Sequence, residues 1–116
     1  MPNVCLLPTK DASLASTAAT TNFGTDGSVY VRTVYVGGTK TVLQRGLFTW
    51  VIPPEIQSAE ILSAEIRLVD TPLSAAACSL WRVKQAWTEA GATWNTYDGA
   101  NNWQTAGCDG ANDAAE

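Results

Sequence analysis

Residues 28–50 constrain the fold more than any other part of the chain. Ser28 to Val36 is a run of β-branched and aromatic residues that ends at Gly37-Gly38. Thr39 to Trp50 follows, again with alternating character. Side chains in a strand point to opposite faces with a period of two, so such runs suit half-buried strands. A glycine pair between them supplies the positive φ that tight hairpin turns need. The prediction is a β-hairpin. In its second strand Arg45 and Thr49 share a face with Leu43 and Leu47. That mixture calls for a bulge near Gly46 or a polar partner for Arg45.

The rest of the chain reads the same way. Short strands are expected at Val4–Leu7 and around Ala12–Ala15, with a polar loop at 16–27. Pro53-Pro54 ends the second hairpin strand, and 55–60 forms a turn or a helical turn. In 60–70, Ala64, Ile66 and Leu68 point one way and Glu65, Arg67 and Val69 the other, as in a strand whose charged residues are solvated. Residues 71–75 read as a loop. Residues 78–84 alternate too, with Trp81 and Val83 opposite Arg82 and Lys84. Five or six strands with regular turn signals and no helical periodicity define an all-β chain, with a sandwich as the architecture.

Residues 87–103 break that pattern. Three of the five tryptophans lie here, at Trp87, Trp94 and Trp103, among Gly, Asn and Thr. An indole carries a large apolar area and one N–H that needs a partner. The segment therefore reads as an ordered loop. Trp87 and Trp94 plug one end of the sandwich, with Glu89, Thr93 and Asn95 as structural loop residues. Glu89 accepts hydrogen bonds that hold the loop in place. Tyr97, Asp98, Asn101, Asn102 and Trp103 are the residues expected to meet a ligand, with Tyr97 and Trp103 as stacking platforms for sugar rings. A single domain is expected over 1–107. Residues 108–116 read as a polar tail or the start of further strands.

Charge narrows the function. All seven basic residues precede residue 85, and 87–116 holds five acids and no base. Nucleic acid and anionic membrane partners are therefore not expected. The first seven residues lack a basic segment followed by an apolar stretch of about 7–15 residues, so no signal peptide is read here. With Met1 in place, the chain either starts there and stays in the cytoplasm until assembly or lysis, or is cut from a secreted parent. A virion or extracellular location follows.

Catalytic machinery is sparse. The chain has no histidine for a triad or a zinc site. Glu65 and Asp70 lie on opposite faces of a strand, and Glu89 and Asp98 make a weak case for a glycosidase pair. The protein is expected not to be an enzyme, and no cofactor is expected. Asp98, Asp109 and Asp113 offer oxygen ligands for calcium, without EF-hand spacing. Cys5, Cys78 and Cys108 allow one bridge at most. Cys78–Cys108 would flank the tryptophan-rich segment; three reduced thiols is the other reading.

Trp87-Thr88-Glu89, then Ala92-Thr93-Trp94-Asn95, then Trp103 and Gly107 resemble the signature of the DNRLRE-domain family. Upstream, Asp11-Ala12, Asn22-Phe23-Gly24, Arg45-Gly46-Leu47, Pro53 and Ser63 to Leu68 are similar to that family's earlier motifs, in the same order. Trp50-Val51 and Cys108 depart from it, since the family usually has Phe-Asp and Gly there. The resemblance implies a jelly-roll-like antiparallel β-sandwich and association with secreted, cell-surface or phage proteins, some of them alginate-binding. Family members continue with further strands after the loop. By that comparison C-terminal strands are missing here or are supplied by another chain.

Two functions survive. The first is a non-catalytic assembly protein of a phage virion surface, a decoration, cement or fibre component, whose partners are copies of itself or capsid and fibre proteins. The second is a carbohydrate-binding module with a polysaccharide partner, where Arg45 and Arg67 suit an anionic chain.

Overall fold

The computed structural model describes residues 4–69 and 78–115. The fold is an all-β sandwich with antiparallel pairing, as the alternation predicts. Strands β1 (Lys10–Ala15), β2 (Arg32–Val36) and β3 (Thr39–Thr49) form one sheet in the order β1-β3-β2. The helix α1 (Pro54–Gln57) is a single turn after Pro53, where a strand stop was expected. Strands β4 (Arg82–Val83) and β5 (Ala114–Ala115) form a short ribbon.

The hairpin forms where predicted. Gly37 and Gly38 both hold positive φ, at 57° and 81°, which matches the right-handed twist of the flanking strands. The bulge lies elsewhere than expected. Val34 pairs with Val42 and Tyr35 with Lys40, so Thr41 is the extra residue. Its hydroxyl donates to the Val34 carbonyl at 3.2 Å. Gly46 instead stays in the ladder opposite Ser13. A Cβ there would meet Val29 Cγ1 at 2.5 Å, so the glycine makes room for residues 29–31 to cross the sheet.

Arg45 takes the other route open to it, a polar partner. Its guanidinium donates to the Gly107 carbonyl at 2.7 Å and pairs with Asp109 at 3.0 Å. The core lies on the same sheet face. Ala12, Leu14 and Leu47 pack with Trp87, Ala92, Trp103 and Cys108, and Val83 and Ala114 lie alongside. Each buried leucine contributes about 1.5–3 kcal/mol.

Four expected strands are shorter or absent. The run 28–36 is a strand only over Arg32–Val36. Residues 4–7 and 60–69 form no strand, and of 78–84 only Arg82 and Val83 pair. Alternation prepares a segment for a sheet, but a strand needs a hydrogen-bonded neighbour. No ladder reaches 60–69 among the described residues. Glu65 and Arg67 are solvated as expected and pair with each other at 2.9 Å. Asp70 and the loop at 71–75 lie outside the described residues, as does Met1.

Residues 108–115 fold back onto the body. Asp113 is 2% exposed. Its carboxylate accepts backbone N–H bonds from Gln104, Thr105 and Gly110 at 2.9–3.0 Å. The turn this creates brings Ala114–Ala115 against β4.

Candidate functional site

The tryptophan-rich segment is a hydrogen-bonded loop anchored to the front of the chain. Glu89 Oε1 accepts the Asp11 N–H at 2.9 Å, the loop-holding role expected of it. The Asn22 carboxamide donates to the carbonyls of Glu89 and Ala92 at 2.7 and 2.8 Å. The Asn95 N–H donates to the Ala19 carbonyl at 3.1 Å. Lys10 lies over the Trp87 ring, 4.4 Å from its centroid, and donates to the Trp87 carbonyl. A cation over an indole face is electrostatically favourable.

Within the loop, Thr93 is the hub. Its hydroxyl oxygen accepts the N–H groups of Asn95 and Thr96 at 3.2 and 3.0 Å and sits 2.9 Å from the Thr96 hydroxyl. Asp98 turns the chain: its carboxylate accepts from the Ala100 and Asn101 N–H groups and from the Asn101 carboxamide. The Asn101 side chain is the foremost cause holding the Asp98 carboxyl below its usual range, followed by the two backbone donors.

The tryptophans divide differently from the expectation. Trp87 is 5% exposed and belongs to the core, as a plug should. Trp94 is half-buried, with the Arg45 guanidinium 5.7 Å from its ring centroid. Trp103 is 4% exposed rather than presented to solvent. Its indole donates to the Thr93 carbonyl, and Tyr97 meets it edge-on with centroids 5.7 Å apart. A buried ring offers no face to a sugar, so Trp103 is a core residue. Tyr97 is half-buried; Asn101 and Asn102 are exposed.

Cys78 and Cys108 are not bridged. Cys108 is buried at φ +60°, a conformation that favours glycine, and Cys78 is exposed. Burial pushes the Cys108 thiol up to about 12, and the nearby Asp113 carboxylate adds to the rise. The carboxylates considered for calcium are engaged separately: Asp98 with its own turn, Asp109 with Arg45, and Asp113 with backbone N–H groups.

Two concave features lie among the described residues near these groups. One is a pocket of about 480 Å³ over the loop, lined only by Thr, Asn, Ala and Gly, including Asn102. The other is a long open cleft between the sheet and residues 66–69 and 78–87. Lys10, Arg32, Arg45, Arg67, Arg82 and Lys84 all line the cleft. So do the aromatic rings of Tyr30 and Trp81, which are 53% and 52% exposed. Sequence reasoning singled out Arg45 and Arg67 but missed the other four cations and both rings. The signal was present in the crowding of every basic residue before residue 85, with Trp81 beside Arg82.

Residues 2–111 match carbohydrate-binding module family 96. The chain belongs to this family. The match covers nearly the whole chain and names a sugar-binding family; it does not name the DNRLRE group. It supports the second of the two functions left by the sequence; no finding supports a virion role. No curated protein and no solved structure matches. In this family 96 module the loop carries one of these concave surfaces on residues 90–102, and the cleft lies against the sheet.

Proposed function

We propose that the protein is a non-catalytic module that binds an anionic polysaccharide, such as a uronate chain, along the cleft. One observation carries this reading: six of the chain's seven basic residues line the cleft, against three of its eleven acidic ones. The molecule is net negative at −4, so this concentration of cations is local. Guanidinium groups pair well with carboxylates because two parallel N–H bonds fit the two oxygens. Arg67 already pairs with Glu65, but both side chains are largely exposed. Such surface pairs are weak, which leaves Arg67 available to a ligand. Trp81 and Tyr30 supply flat apolar faces for the C–H sides of sugar rings, with polar edges for orientation.

The test is titration of the protein with oligo-uronates and with neutral glucans, repeated for Trp81→Ala and Arg82→Ala. Binding of the oligo-uronate, reduced at least about tenfold in each variant, supports the reading. Equal binding of neutral glucans, or indifference to both substitutions, would overturn it.

A further inference from the structure

We propose that the pocket over the tryptophan-rich loop is a second sugar site, for an uncharged pyranose, separate from the cleft. The inference rests on the chain being a sugar-binding module but not on the cleft being its binding surface. At about 480 Å³ the pocket has the size of a small-molecule site.

Its polar groups fall into two sets. The floor is already committed: the Thr93 and Thr96 hydroxyls bond to each other, and the Asn22 carboxamide bonds to three backbone groups. The rim is not. The Thr20 hydroxyl and the carboxamides of Asn95 and Asn102 make no hydrogen bond among the described residues, and all three line the pocket. Each carboxamide offers an acceptor beside a two-proton donor. Adjacent sugar hydroxyls, each both donor and acceptor, fit that arrangement.

The floor is also rigid. A Cβ at Gly91 would lie 2.2 Å from the Asp98 carbonyl oxygen, so that backbone is closely packed. The Asn95 backbone is fixed at both ends, its N–H to Ala19 and its carbonyl to the Trp103 N–H at 3.0 Å. Binding groups held this way lose little freedom when a ligand arrives.

Charge selects the ligand. No ionisable side chain lines the pocket. The lining gives a uronate carboxylate no cation to pair with, whereas a neutral ring brings no charge to desolvate. No aromatic side chain lines the pocket, so recognition is by hydrogen bonding rather than stacking.

The test uses the full chain in amide NMR titrations with neutral gluco-, galacto- and manno-configured oligosaccharides, alongside an oligo-uronate. The expected result is that at least one neutral sugar moves the Thr20, Asn95 and Asn102 signals and the oligo-uronate does not. Asn95→Ala and Asn102→Ala should each weaken the neutral sugar at least fivefold and leave oligo-uronate affinity unchanged. Thr20→Trp, on an exposed rim position, should block the pocket even if Asn95→Ala fails to fold. Neutral binding here with no oligo-uronate binding anywhere would support this site and overturn the cleft reading alone. Absence of neutral binding, or neutral binding indifferent to Asn102→Ala and Thr20→Trp, would overturn the proposal.

Discussion

The indole N–H of Trp103 donates to the backbone carbonyl of Thr93 at 2.9 Å, inside the core. The ring therefore supports the loop from beneath. Trp103→Ala should cost about 3–5 kcal/mol by urea denaturation, through lost packing. Trp103→Phe keeps most of the packing but strands the Thr93 carbonyl, and should cost about 1–3 kcal/mol. Where Trp103→Phe is fully folded, its oligo-uronate affinity should equal that of the parent protein.

Asp113 should be one of the most sensitive polar positions. Three backbone N–H groups converge on its buried carboxylate. Asp113→Ala leaves them without that acceptor and should lower stability by about 2–4 kcal/mol. Asp113→Asn retains one acceptor oxygen and should lose less. Thermal unfolding followed by far-ultraviolet circular dichroism would rank the two.

The three thiols should react unequally. Cys5 and Cys78 are exposed, while Cys108 is buried with its thiol pushed up to about 12. A thiol reagent at mildly alkaline pH should modify two groups in the native protein and the third after denaturant is added. A thiol raised in the folded state keeps its contribution to stability below its ordinary value of 9.0. That contribution should fall as pH climbs toward 12, and Cys108→Ala should flatten this alkaline loss.

The Asp98 turn should respond to acid in the opposite sense. Its carboxyl is lowered from the usual 3.8, so its bonds to Asn101 and Ala100 hold above that value. They are lost as pH falls through the lowered one. The Asn101 backbone amide should therefore titrate with a midpoint below 3.8.

Binding in the cleft should weaken with salt. Exposed charges are screened beyond about 10 Å at 0.1 M ionic strength. Oligo-uronate affinity measured by calorimetry should drop severalfold between low salt and about 0.5 M sodium chloride. Neutral-sugar binding at the loop pocket should not change.

The hairpin and the class of fold were legible because they rest on local rules. Gly37 and Gly38 declare their turn, and the alternation on either side declares its strands. Residues 60–69 alternate as well, but pairing is a property of two segments, and alternation in one does not name the other. Trp103 misled for a related reason. Its neighbours Asn101 and Asn102 are polar and exposed, and a tight turn lets adjacent residues face opposite ways. Asp113 sits in a stretch poor in apolar residues, and its burial comes from backbone donors that composition does not register. Glu89 was legible as a loop anchor. Its partner Asp11, seventy-eight residues away, was not.

That separation governs how the protein is made. The contacts that fasten the loop reach back to Lys10, Asp11, Ala19 and Asn22, across 67 to 78 positions where side chains are involved. On a ribosome the first strand emerges long before the residues that lock it. It can pair with β3 midway through synthesis, but Leu14 stays without Trp87 and Trp103 until most of the chain has been made. Closing so large a loop is slow, and an early strand left unguarded is a place where nascent chains can stick to one another.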